Sequence, residues 1–228
     1  MLILTGRTYS RLEPVINKIN SINPTVKTLF IELDLCNPFS VQNAANAILS
    51  SREIDHIDVL INCAGVMIPP YTETAWLAPS SGEPLELQLG TNHLGHFLLT
   101  KTILPKIRKA APGARIISVS SSGHRFSDIR YDDPNFGNGV RYDPWTAYGQ
   151  SKTANILMAV YLSHNIPMEE VACLSLHPGS VASSLQQYLT SDLAKEGFER
   201  ANAGKLDRGK ITFQLSFFPP SPSLCFVV

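Results

Sequence analysis

The sequence predicts an α/β fold, with a doubly wound, mostly parallel sheet covered by helices on both faces. Three observations predict it. Apolar, β-branched stretches alternate with amphipathic helical stretches, which implies right-handed crossovers between parallel strands. Residues 58–63 are almost continuously apolar, as in a strand buried on both faces. Small and hydroxylated residues follow several strands, at the edge where such folds bind ligands.

The elements follow in order. Residues 2–4 are a strand running directly into Thr5-Gly6-Arg7. Residues 11–22 read as a helix, with Leu12, Val15, Ile16 and Ile19 on one face. A β-branched strand covers 26–35, and Asn37-Pro38 opens a helix to about residue 50 because proline suits a first helical turn. After strand 58–63, residues 85–110 carry a long helical pattern interrupted or bent at Pro105. Strand 114–120, helix 147–164 and strand 171–176 complete the alternation.

Two stretches break it. Residues 123–146 form a long insert whose Tyr131, Phe136, Tyr142 and Trp145 mark it as functional rather than disordered. Residues 209–228, rich in Phe, Pro and Ser, show no strand or helix pattern and read as an atypical tail on a catalytic domain spanning 1–208.

Composition narrows the function classes. The 228 residues are 44% hydrophobic and 17% charged, ordinary for a soluble globular domain. Nineteen basic and nineteen acidic residues cancel, which gives no general attraction to nucleic acid or anionic membrane. No apolar run approaches the roughly 18 residues of a membrane span. The four cysteines form no Cys-x-x-Cys pair and suit reduced thiols in a cytoplasmic protein. His93, His96, His124 and His177 match no zinc spacing, so no metal is expected.

The chemistry centres on Tyr148-Gly-Gln-Ser-Lys152. Four residues apart on a helix, the phenol and the ammonium share one face. A nearby cation lowers a tyrosine pKa and equips Tyr148 as a general acid or base. Ser121 follows strand 114–120, where its hydroxyl can hold a carbonyl oxygen. In Asn62-Cys-Ala-Gly65, small residues after a strand allow a cofactor to approach the backbone. Asn92 falls within a helix, an unfavoured place for asparagine.

Taken together and in this order, Asn62-Cys-Ala-Gly65, Asn92, the serine run, Tyr148-x-x-x-Lys152 and His177-Pro178-Gly179 resemble the short-chain dehydrogenase/reductase family, with a Rossmann-type fold. Thr91-Asn-His-Leu-Gly-His-Phe97 and Trp145-x-Ala-Tyr-Gly-Gln-Ser-Lys152 are similar to its retinol-dehydrogenase-like and WW-domain-oxidoreductase-like branch. The resemblance implies hydride transfer between NADP(H) and a small apolar carbonyl or alcohol. In it Ser121 orients the substrate oxygen, Tyr148 exchanges the proton, Lys152 lowers the tyrosine pKa and holds the ribose, and Asn92 positions a relay water. Asn62, Ala64 and Gly65 would line the adenine-ribose side, with Asp34 and Leu35 near the adenine. Pro178, Gly179, Val181 and Ser183 would flank the nicotinamide. Arg7, after the first strand, would take the 2′-phosphate, favouring NADP over NAD. Retinoids, steroids, aliphatic aldehydes and polyketide ketones all fit as substrates.

One departure is large. Family members begin with a strand, a Thr-Gly-x-x-x-Gly-x-Gly loop and a helix that cradle the pyrophosphate, and this chain starts after them. The expectation is a fold incomplete at its N-terminus, with a gap in the sheet between strands 2–4 and 58–63. The competing expectation is a chain that has lost cofactor binding and acts, if at all, as a binding or regulatory protein.

Overall fold

The computed structural model describes residues 1–79, 81–179, 181, 183–201 and 225–227. Strand β1 (Leu2–Gly6) leads to helix α1 (Tyr9–Ile22), strand β2 (Thr28–Glu32), helix α2 (Pro38–Ser50) and strand β3 (Val59–Asn62). A hairpin of β4 (Glu73–Leu77) and β5 (Pro84–Glu86) precedes a helical run: α3 (Leu87–Leu89), a π turn (Gly90–Leu94) and α4 (Gly95–Arg108). Then come β6 (Ala114–Val119), a 3₁₀ turn (Ser122–Phe126), α5 (Pro144–Asn165), β7 (Val171–Leu176), α6 (Asp192–Ala201) and β8 (Cys225–Val227).

Six strands form one parallel sheet in the order β2-β1-β8-β3-β6-β7, the Rossmann-type arrangement expected. Helix starts agree with their caps. Asn37 Oδ1 accepts from Phe39 N at 2.9 Å ahead of Pro38, and Asp143 Oδ1 accepts from Thr146 N at 2.7 Å ahead of Pro144. The main core lies between the sheet and its helices, with Ile3, Ile48, Leu60, Ile103 and Ile116 fully or almost fully buried.

The expected gap is filled. β8 enters between β1 and β3, with Cys225, Phe226 and Val227 paired to Leu2, Ile3 and Leu4 on one side and to Val59, Leu60 and Ile61 on the other. The physical reason is the demand of two facing strand edges for backbone partners, which a three-residue strand from the tail meets. The tail is therefore not without structure, although the boundary expected at residue 208 lies outside the described residues.

Other differences are local. The helix expected over 85–110 begins as strand β5, carries a π turn that holds Asn92, and runs uninterrupted through Pro105 to Arg108. On α1, Ile16 is buried, but Val15 is turned to solvent. The β4–β5 hairpin was not expected. It is tied to the body by Trp76 Nε1, which donates to Leu35 O at 2.8 Å.

If β8 holds the centre of the sheet, Phe226→Pro should destabilise strongly. Proline cannot donate to a ladder and is excluded from central strands. Each buried group left unpaired should cost about 1–3 kcal/mol. Urea denaturation of the variant should show a lower midpoint than Phe226→Val. Equal midpoints would show that β8 does not carry the sheet.

Candidate active site

Because all six strands run parallel, their C-terminal ends share one edge. Arg7 follows β1, Asp34 and Leu35 follow β2, Asn62–Gly65 close β3, Ser120 and Ser121 follow β6, and Pro178 and Gly179 follow β7. Ser120 N donates to Leu176 O at 2.8 Å, which fixes the last two ends side by side.

Helix α5 is buried along most of its inner face and carries Tyr148 and Lys152 against β6. Lys152 Nζ donates to Val119 O at 3.1 Å, and Asn155 Nδ2 donates to the same carbonyl at 3.2 Å. Ser120 Oγ donates to Lys152 O at 2.7 Å. The ammonium lies 5.6 Å from the centroid of the Tyr148 ring. Ser121 caps the 3₁₀ turn by accepting from Gly123 N at 3.1 Å, and its hydroxyl is hydrogen-bonded to Tyr148. At Gly123 a Cβ would sit 2.9 Å from the Tyr148 ring, so only glycine lets the turn close on the phenol.

The electrostatics differ from the expectation in one respect. Burial raises the Tyr148 phenol above its usual range, and only the Ser121 hydrogen bond opposes the rise. Lys152 does not lower it here. The lysine is itself pushed down to about 8 by its own burial, with the Cys63 sulfur pulling the other way. Desolvation outweighs attraction for both groups. Tyr148 is thus held protonated, as a donor.

The Asn92 amide is engaged at both ends, with one Oδ1 lone pair left over. Its Oδ1 accepts from Val66 N at 2.8 Å, while Nδ2 donates to Val66 O at 2.9 Å and to Ser151 Oγ at 2.9 Å. It splints the loop after β3 to α5. Gly65 lies in this cluster, where a Cβ would stand 3.1 Å from Asn92 Oδ1 and 3.6 Å from Lys152 Nζ.

The expected cofactor residues divide. Arg7 is exposed at the end of β1 and is felt at the Cys36 thiol, beside Asp34. Asp34 Oδ1 accepts from Cys36 N at 3.0 Å, and buried Leu35 offers its carbonyl to Trp76. Asn62 is turned inward instead, donating from Nδ2 to Thr100 Oγ1 at 3.0 Å with 1% of its surface exposed. Ala64 is half-buried. Beyond β7, Pro178 is half-buried, Gly179 takes φ +80°, and Val181 and Ser183 lie exposed on the rim. Ser183 Oγ accepts from Leu185 N at 3.3 Å.

Sequence reasoning missed Gln88. Fully buried, it accepts from Ile68 N at 2.9 Å and donates to Tyr142 O–H at 2.9 Å and to Pro144 O at 3.0 Å. Tyr142 in turn donates to Pro69 O at 3.0 Å. Ile68 is thereby held at φ +49°, a strained value for a β-branched residue. This knot forms part of the wall of a cleft of about 640 Å³ between residues 68–70, the start of α5 and α6. Trp145 lines the cleft and contacts Tyr148, ring centroids 6.1 Å apart.

The model of the family described as "short chain dehydrogenase" matches residues 1–131. The chain belongs to the short-chain dehydrogenase family. Human retinol dehydrogenase 11 is 36% identical over 185 residues, which are 81% of this chain and 54% of that protein. Mouse retinol dehydrogenases 12 and 13 match at 35% and 34% identity, which places the chain in the retinol-dehydrogenase-like branch. The chain spans about half the length of these relatives. Oxidoreductase fscI of Fusarium equiseti is 33% identical over 78% of this chain and 76% of its own. Among solved structures, NADPH-bound carbonyl reductase from chicken fatty liver shares the fold, with a TM-score of 0.56 and 22% identity over 89% of this chain and 80% of that one. No helix among the described residues is long and apolar enough to cross a membrane.

Burial of Lys152 has a pH signature. Unfolded, its ammonium keeps its proton to about 10.5; folded, it gives it up near 8. The penalty is complete below pH 8 and is relieved as pH rises to 10.5, so this group's contribution to stability improves with pH. Lys152→Met should therefore be more stable than the parent at pH 7, by at most roughly 3 kcal/mol. Chemical denaturation should show the difference closing by pH 10.5. A constant difference would mean that the amine is solvated.

Proposed function

We propose that this site carries out NADP(H)-dependent reduction of apolar carbonyl compounds, and the reverse oxidation, with Tyr148 as the general acid. The observation that carries the reading is a buried phenol held protonated, bonded to Ser121, with the Lys152 ammonium beneath it.

The nicotinamide-ribose end of the cofactor fits the residues. One Lys152 proton is taken by Val119 O, which leaves two donors, and Gly65 keeps the space beside Nζ clear of a side chain. At the other end Arg7 offers a planar, permanently charged fork to a 2′-phosphate. Bound NADPH supplies the hydride. Ser121 Oγ and the Tyr148 phenol together hold the substrate oxygen, and Tyr148 releases its proton to that oxygen as charge develops there. The Ser121 hydrogen bond, which favours the charged form, then stabilises the phenolate until it is reprotonated. Asn92 acts as a positioning residue, setting the loop after β3 against α5.

A second reading, a chain that does not bind the cofactor, is favoured by β8. In the resemblance, the strand at this place leads into the glycine-rich loop, and β8, which comes from the tail, occupies that place between β1 and β3 instead. Several charge-assisted hydrogen bonds to the pyrophosphate would then be missing.

Calorimetric titration with NADPH separates the two. A micromolar or tighter one-to-one complex supports the first reading, and no heat of binding supports the second. In the first case Tyr148→Phe should cut turnover on the order of 10² or more, while near-normal turnover would refute the acid role.

Arg7→Ala should erode a preference for NADPH over NADH by roughly 10–150-fold, the value of one charge-assisted hydrogen bond. Equal affinity for both cofactors in the unaltered protein would remove Arg7 from the site.

A further inference from the structure

Trp145 carries an unexplained feature. Its indole Nε1 is buried and has no hydrogen-bond acceptor among the described residues. Buried tryptophan N–H groups normally find a partner, and an orphan calls for a reason. Trp145 is 9% exposed, lines the cleft and packs edge-on against Tyr148, which stands behind it.

The cover over this nitrogen is Gly197 of α6. A Cβ at Gly197 would lie 2.2 Å from Nε1 and 2.4 Å from Cε2, so the helix backbone rests directly on the indole edge. Helix α6 is joined to the body through Ala194 and Phe198, which pack on a small cluster of Met67, Ile68, Trp145 and Tyr148. That cluster is separate from the main core. These contacts, and that of Arg200 with the Phe126 ring at 5.9 Å, lie outside the main core, so a lift of α6 would leave the packing of the sheet intact.

We infer that Trp145 determines substrate specificity, its Nε1–H donating to a second oxygen of the substrate when α6 lifts from the indole. The inference rests on the carbonyl-reduction reading and narrows its substrate class. The reacting oxygen is held by Tyr148 and Ser121, so the acceptor for Trp145 is a different atom. Nε1–H can only donate, which selects an acceptor. Ile68, Pro69, Phe126 and Leu193 make much of the remaining wall apolar. The fitting substrate is an apolar carbonyl compound with a second oxygen: a diketone, a keto ester or a hydroxy ketone. A ligand without that oxygen leaves the donor unpaired, and sites of this kind discriminate steeply against such ligands.

Ethyl acetoacetate and heptan-2-one are matched probes of similar length, one with the second oxygen function and one without. The kcat/KM ratio between them should favour the keto ester, and Trp145→Phe, which keeps an aromatic ring and deletes the N–H, should reduce that ratio at least tenfold. An unchanged ratio overturns the inference. A second readout needs no turnover. The chain has two tryptophans, so Trp76→Phe leaves Trp145 as the sole emitter. Its emission should shift with ethyl acetoacetate and not with heptan-2-one; equal responses, or none to either, overturn the inference. Adding Tyr148→Phe to that variant should abolish turnover and keep the shift. A selective shift in a protein without turnover would support Trp145 and count against hydride transfer. Turnover with an unselective Trp145 would do the opposite.

Discussion

A buried lysine organises this molecule. Placing the Lys152 ammonium beneath the end of β6 is costly, since desolvation disfavours the charge. The cost is tolerated only where acceptors are fixed in advance. Val119 O supplies one, and the strand cannot shift without losing it. Asn155 binds the same carbonyl, and Ser120 Oγ holds the Lys152 backbone, so α5 is pinned to β6 at three points within one helical turn. Tyr148, one turn earlier, inherits its position from these contacts. Ser121, one residue past the strand pair, inherits its own.

Around this centre the wall of the cleft is built from polar side chains used as struts. Gln88 reaches two chain segments at once, joining Ile68 to the stretch that holds Tyr142 and Pro144. Gln150, inside the Tyr–Lys motif, plays the same part for the long insert: it accepts from Arg130 N at 2.9 Å and donates to Pro134 O at 3.1 Å. Asp133 gathers Arg130 and Arg141, and its carboxyl is held at about 2, chiefly by the Gly137 N–H. The insert is thus ordered from within and from α5, and it sets Tyr142 and Trp145 in the cleft wall.

Much of this was legible in the sequence because it is local. Spacing of four residues puts Tyr148 and Lys152 on one helical face, Asn37-Pro38 marks a helix start, and the apolar run ending at Asn62 marks a buried strand. The pairing of Ser121 with Tyr148 was legible through the family pattern. What escaped depends on distant partners. The β4–β5 hairpin lacks a strong alternation and is secured by Trp76 reaching Leu35. Within the π turn, one amide, that of Asn92, serves Val66 and Ser151 together, partners 26 and 59 residues away. The inward turn of Asn62 follows from Thr100, a helix away. The reversed shift at Tyr148 needed burial, which no spacing reveals.

The place of β8 bears on how the molecule is made. A ribosome delivers β1 first and β8 after every other described element, yet the two lie side by side. Until β8 is made, the edges of β1 and β3 that pair with it lack that partner, and unpaired edges are the surfaces most prone to capture another chain. Closing the sheet means joining segments far apart in the sequence, the slowest kind of contact to form. Yield from an expression host should thus depend on chaperones that occupy strand edges until translation ends.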